Sequence, residues 1–227
     1  VGIGAFRPRH DLPVLGVIRP GASAAALSTR NRRVGVIATP ATIRSHAYFA
    51  SIKDENPAIE VYEHATPALV PMVEAGILSG PEAEATVTAS LAALLGERDA
   101  DGESIFPRPP GATIDTLLLG CTHYPLLRPI IAAAVGDRVA IVDSATATAS
   151  ALAELLVVNG MEAPGTTRGT AADAGLAGHE RLDEVAAPAT HRQLTTGDAA
   201  RFRDLAARLF GPDVPDVESV ELGALAR

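Results

Sequence analysis

The stretch Thr116-Leu117-Leu118-Leu119-Gly120-Cys121-Thr122-His123-Tyr124-Pro125 passes from an unbroken apolar run into a polar turn that holds the only cysteine of the chain. A short apolar run without polar alternation is the pattern of a strand buried on both faces, and such strands belong to parallel sheets covered by helices. Beyond the turn, Leu126, Leu127, Ile130, Ile131 and Ala134 recur at helical spacing, and either Pro125 or Pro129 can occupy the first helical turn. Strand, turn and helix in that order are half of a βαβ unit, and open α/β sheets bind ligands beyond the carboxyl ends of their strands. A lone cysteine in a reduced compartment is more often a small buried hydrophobe than a reactive group. Its neighbours make Cys121 a candidate all the same: Gly120 lets the backbone approach a ligand, Thr122 offers a hydroxyl, and His123 can stabilise a thiolate or move a proton.

Outward from this stretch the same alternation continues. Val14 to Ile18 and Val34 to Ala38 have strand character, and Thr39 can cap a helix that carries Pro40 at its first position and runs to about Ile52. Ile59 to His64 predicts a further strand, and the alanine- and leucine-rich Pro81 to Leu95 a helix. Glu97 to Ala112, charged and then rich in proline and glycine, predicts a loop. Val139 to Val142 predicts a strand, with Asp143 or Ser144 capping a helix through Val158 that Gly160 closes. Residues 161–189 are dominated by Gly, Ala, Thr and Pro and predict an irregular, flexible segment; Asp198 then starts a last helix through Phe210, with Phe202, Leu205 and Leu209 on one face.

With 227 residues, 47% of them hydrophobic, the chain can bury a sizeable core. Its net charge of −8 and its scattered lysines and arginines argue against a nucleic-acid partner. One cysteine excludes an internal disulfide, and His10, His46, His64, His123, His179 and His191 are too dispersed for a zinc-type motif, so no metal is expected. No apolar run reaches the roughly 18 residues of a membrane helix and no signal-peptide pattern opens the chain, which makes the cytoplasm the expected compartment.

The segment Leu119-Gly-Cys121-Thr-His-Tyr-Pro125-Leu-Leu resembles the second cysteine motif of the glutamate racemases, within the aspartate/glutamate racemase family. Other segments are similar to the family's in the same order: Leu12-Pro-Val-Leu-Gly-Val-Ile-Arg-Pro-Gly21, Val34-Gly-Val-Ile-Ala-Thr39-Pro-Ala-Thr42, Thr66-Pro-Ala-Leu-Val-Pro-Met-Val-Glu74, Val142-Asp-Ser144, and His191-Arg-Gln-Leu-Thr-Thr-Gly197-Asp. Thr66 stands where many members carry a cysteine. The resemblance implies two similar three-layer α/β domains with mostly parallel sheets. In this chain it implies a remnant of the first domain at 1–33, the second domain at 34–143, and a return to the first at 144–227, so that the first domain is incomplete.

The activity implied is cofactor-independent interconversion of L- and D-glutamate, which supplies D-glutamate for peptidoglycan, by an enzyme that is a possible homodimer. Inverting a stereocentre through a carbanion needs an acid and a base on opposite faces, and a cysteine of depressed pKa can serve at neutral pH. By resemblance Cys121 is the second of two catalytic thiols, His123 assists it and also contacts substrate, and Glu74 is an acidic neighbour. Thr39, Thr42 and Thr122 donate hydrogen bonds to the substrate's polar groups. Glu74 also fits a solvated helix-end carboxylate, and Thr39 and Thr42 fit ordinary helix-start residues.

The family's Asp-Ser-Gly, Pro-Tyr-Gly and Cys-Asn-Thr segments, the last bearing the first catalytic cysteine, are not among these 227 residues. The expectation is a longer protein of which this is a part. The rival expectations are an inactive half-site binding remnant, a related aspartate racemase, and, more weakly, a hydrolase with Cys121 as nucleophile and His123 as base.

Overall fold

A computed structural model of the chain describes residues 13–95, 113–162, 192–211 and 216–221, which divide into two compact units, Val1–Leu152 and Ala153–Arg227. The loop expected over 97–112 lies outside the described residues, as do His10, His179, His191 and all of the irregular segment except positions 161–162.

The first unit is built on a four-stranded, all-parallel sheet of β1 (Arg33–Ala38), β2 (Glu60–Ala65), β3 (Thr116–Leu119) and β4 (Ala140–Asp143), in the order β2-β1-β3-β4. Register is close to flush at the carboxyl ends, with Ala38 beside Ala65, Ile37 beside Leu119, and Leu119 beside Asp143. Burial explains β3: all four of its residues are inaccessible to solvent, as its unbroken apolar pattern requires. The connection from β1 to β2 steps to one side and that from β3 to β4 to the other. Right-handed crossovers therefore put their helices on opposite faces.

Four strands are where the sequence pattern predicts them to within a residue, but Val14–Ile18 is not a strand. Residues 13–17 carry no regular structure, and helix α1 (Ile18–Ser28) begins where that strand was expected to end. Five apolar residues do not distinguish the two states, whereas the alanine-rich run after Pro20, a proline tolerated in a first turn, favours helix. Helix α1 packs against α3 (Ala47–Glu55), β3 and β4. Ala22, Ala25, Val34, Val36, Tyr48, Ile52, Ile59 and Leu118 form one buried cluster there. Residues 18–28, expected in the first-domain remnant, are thus packed on the sheet of residues 34–143.

The helix expected from Pro40 to about Ile52 is two helices. His46 adopts φ +50°, a left-handed conformation that ends α2 (Pro40–Ser45) before α3 begins at Ala47. Thr39 caps α2 through its side chain, which accepts from the Thr42 amide. Helix α4 (Leu69–Glu74) places Glu74 at a helix end, and α5 covers Pro81–Leu95 as its composition predicts. Both candidate prolines start something: Pro125 opens a 3-10 turn (Tyr124–Leu127) and Pro129 lies in the first turn of α6 (Arg128–Val135). Asp143, rather than Ser144, caps α7 (Ser144–Val158), its Oδ1 accepting from the Thr146 amide at 2.7 Å.

The second unit contains a parallel pair, β5 (Gln193–Thr195) and β6 (Val217–Ser219), with α8 (Ala199–Phe210) between them in sequence and packed on β6. Asp198 caps α8 through the Arg201 amide, as expected. Phe202, expected on the buried face of α8, is exposed.

Candidate active site

In a doubly wound sheet the crevice for ligands opens where the strand order reverses, which here is between β1 and β3. The residues that leave the carboxyl ends of these two strands are Thr39 and Gly120–Cys121. The fold therefore delivers one threonine and the only cysteine to adjacent positions at the switch point.

Gly120 is required there by space. A β-carbon at this position would lie 2.7 Å from Tyr48 Cε2, 3.1 Å from the Ile37 carbonyl oxygen and 3.2 Å from Ala38 Cβ. Two of those three neighbours belong to β1, which cannot give way without disturbing the sheet. The Gly120 amide continues the ladder by donating to the Ile37 carbonyl at 2.8 Å, after which the chain leaves the sheet and exposes part of Cys121.

The Cys121 sulfur lies 3.7 Å from His123 Nδ1, and the opposite ring nitrogen, Nε2, lies 3.4 Å from Glu74 Oε1 at the end of α4. With the carboxylate facing Nε2, the tautomer protonated at that nitrogen leaves the Nδ1 lone pair free to accept a thiol proton. Thr122 Oγ1, 3.4 Å from Nδ1, is its other polar neighbour. Burial pushes the Cys121 thiol up from its ordinary value, and the backbone N–H groups of His123 and Thr122 recover only part of that shift. The depressed pKa expected for this cysteine is thus not its resting state. Desolvation dominates at a half-buried sulfur, and activation depends on a base within reach. Thr39 and Thr42 face each other with hydroxyls 3.0 Å apart. That contact uses one donor and one acceptor of the pair, so the two hydroxyls together retain capacity for a ligand.

All of Cys121, Thr122, His123 and Glu74 are thereby drawn into one chain of polar contacts, with Thr39 and Thr42 on the neighbouring strand end. Residues expected only in part lie beneath them. Tyr124 is fully buried, its hydroxyl 2.7 Å from Thr66 Oγ1 and donating to the Thr66 carbonyl at 3.2 Å. Desolvation pushes the Tyr124 phenol up to about 12, the Thr66 hydrogen bond offsetting and the Cys121 charge reinforcing that rise. Thr66 itself is buried, and tied also to the Ala38 carbonyl. Tyr48 is buried with its hydroxyl 2.7 Å from Ser144 Oγ. A tyrosine in an apolar helical pattern predicts core, and only the pairing across distant segments reveals this polar layer.

Among the described residues no group of three or more His, Cys, Asp or Glu side chains could hold a metal ion, and no helix is long and apolar enough to cross a membrane. No protein-family model matches the chain. The glutamate racemase of Koribacter versatilis is 38% identical over 225 residues, which span 98% of this chain and 72% of that protein. The glutamate racemase of Shouchella clausii is 38% identical over 216 residues, and there the match covers 95% of this chain but 65% of the relative's length. The crystal structure of the glutamate racemase isoform RacE1 from Bacillus anthracis superposes with a TM-score of 0.73 at 30% identity, over 97% of this chain and 69% of that one. An α/β sheet whose switch point carries Cys121 beside His123, in a chain so similar to these proteins over nearly its whole length, belongs to the glutamate racemase family.

Proposed function

We propose that this chain carries one proton-transfer face of a glutamate racemase that interconverts L- and D-glutamate without a cofactor. The observation that carries this reading is the contact chain Cys121–His123–Glu74 at the switch point. His123 Nδ1 accepts the thiol proton, and Glu74 stabilises the imidazolium that results. The thiolate then removes the α-proton from one face of glutamate, leaving a carbanion whose charge spreads into the α-carboxylate. Thr39, Thr42 and Thr122 supply hydroxyl donors for substrate carboxylates, where they stabilise the developing charge. Return of a proton to the same face regenerates the substrate; delivery to the opposite face gives the enantiomer.

That opposite face needs a second acid, and the 227 residues contain no second cysteine. In this reading the second thiol belongs to sequence outside them, and the sheet of residues 33–143 with the helix Ile18–Ser28 packed on it forms one of two domains, residues 153–227 contributing to the other. The physiological role is supply of D-glutamate for peptidoglycan, in the cytoplasm, by an enzyme that forms homodimers. Aspartate is the rival substrate within the same chemistry, and the names of the relatives favour glutamate.

The test is α-proton exchange in deuterium oxide, with L- and D-glutamate and L- and D-aspartate supplied separately. Cys121 acting alone exchanges one enantiomer of glutamate with retention of configuration; with a second acid present, both enantiomers of glutamate exchange and racemise. Undiminished exchange in a Cys121→Ala variant would remove the role assigned to the thiol, and faster exchange of aspartate would move the substrate assignment.

A further inference from the structure

Tyr48 lies on α3, far in sequence from the catalytic turn, yet its ring fills the space that a side chain at position 120 would need, with Cε2 2.7 Å from an ideal β-carbon there. The residue before Cys121 thus rests directly on this ring. The ring is in turn anchored at its far end, because the hydroxyl meets Ser144 Oγ at 2.7 Å across 96 positions of sequence. Ser144, the first residue of α7, is itself hemmed in: a β-carbon on Gly21 of α1 would lie 2.3 Å from its Oγ. Three helices therefore converge on a single hydroxyl pair, and one edge of that assembly is the floor under Gly120.

We propose that the Tyr48–Ser144 pair is a positioning device for Cys121, holding the Gly120 floor so that the thiol keeps its burial and its 3.7 Å approach to His123. Burial pushes the Tyr48 phenol up, the Ser144 hydrogen bond opposes this, and the Cys121 charge adds to the rise, so ring and sulfur are within electrostatic reach. Neither hydroxyl touches substrate in this scheme. Both act through the backbone of Gly120, and their importance for turnover rests on the racemase reading above.

Cys121 is the only cysteine among these 227 residues, so the rate of alkylation by iodoacetamide against pH, read by mass spectrometry on the peptide that carries Cys121, reports on this one thiol without any substrate. Tyr48→Phe keeps the ring and removes only the anchor; Ser144→Ala removes the other partner and serves equally if the first variant does not fold. Loosening the floor exposes the thiol, so each variant should lower the apparent thiol pKa by about half to one unit, the shift equivalent to one ordinary hydrogen bond. Each should also raise the limiting alkylation rate at high pH. The double variant should shift no further than either single one, because a single bond is lost in every case. A profile unchanged from wild type, even with a lowered melting temperature, overturns the proposal, as do a raised pKa or additive shifts in the double variant. A negative result here leaves the racemase reading untouched, since that reading stands or falls on α-proton exchange.

Discussion

The two ends of the four-stranded sheet use polar side chains in opposite ways. At the amino end, Asp115 directly precedes β3, and both of its carboxylate oxygens are occupied. Thr29 Oγ1 donates to it at 2.6 Å, the Arg30 and Asn31 amides each at 2.7 Å, and Thr116 Oγ1 at 3.1 Å. At the carboxyl end, six residues further on, Cys121 has one polar side-chain partner, at 3.7 Å, beside the backbone N–H groups of His123 and Thr122, and His123 and Glu74 pair only loosely at 3.4 Å. Saturated groups fix structure because any ligand would have to displace an existing bond. Groups held close but incompletely paired have capacity to spend on a substrate. The same strand therefore ends in a clamp on one side and, in the mechanism proposed here, in a reactive centre on the other.

The largest effect that can break this contrast is loss of the thiol. Cys121→Ala should reduce α-proton exchange by about a thousandfold, within the range for a general acid or base, while the melting temperature stays close to that of the parent. A comparable fall in both would place Cys121 with the clamp rather than with the chemistry. Gly120→Ala comes next, because its β-carbon meets Tyr48 and the backbone of Ile37. It should cost about 1–3 kcal/mol in urea-induced unfolding, as overpacking does, and should also disturb thiol alkylation. Full stability would mean that the floor under the turn yields.

Much of this architecture is legible in the sequence because the two periodicities of helix and buried strand are strong here. The run Thr116–Leu119 has no polar alternation and is completely buried; Pro81–Leu95 has no breaker and forms one helix from end to end. Boundaries failed where the deciding quantity is tertiary. Nothing local marks His46 as the left-handed residue that splits α2 from α3, and the apolar Val14–Ile18 suited a strand until Ala22 and Ala25 found a cluster to enter. The site divided along the same line. Cys121 and His123 are two residues apart and can be paired on paper. The approach of Glu74, and the tyrosine layer of Tyr48 and Tyr124, depend on strand order and on contacts across tens of residues.

The amino end supplies the complementary test. Burial alone would push the Asp115 carboxyl up, but its four donors outweigh it and hold the group below the ordinary carboxylate range. A carboxylate whose folded pKa is depressed adds stability above its unfolded value, and that contribution disappears as pH falls through the folded one. Asp115→Asn should thus lose about 1–3 kcal/mol near neutral pH and show a flatter acid limb than the parent in stability-versus-pH titrations. Alkylation of Cys121 should not change. Altered thiol reactivity in this variant would mean that the two ends of β3 are coupled, and the division of labour drawn above would fail.

The smallest expected effect concerns Glu74, and it sharpens the contrast most. Its side chain is 48% exposed and that of His123 is 30% exposed, so as an ion pair the two should contribute less than about 1 kcal/mol to folding. If the carboxylate only decorates the surface, Glu74→Gln should leave everything unchanged. In the mechanism proposed here its charge supports the imidazolium formed when His123 takes the thiol proton, and glutamine keeps an oxygen for Nε2–H while losing that charge. Exchange should therefore fall about tenfold, equivalent to some 1.4 kcal/mol of transition-state stabilisation, with an unaltered melting temperature. An unchanged exchange rate would reduce Cys121–His123–Glu74 to a dyad with a bystander. A fall in stability to match the rate would make Glu74 part of the clamp, for only a group spent on the reaction can lose rate while the fold stays as it was.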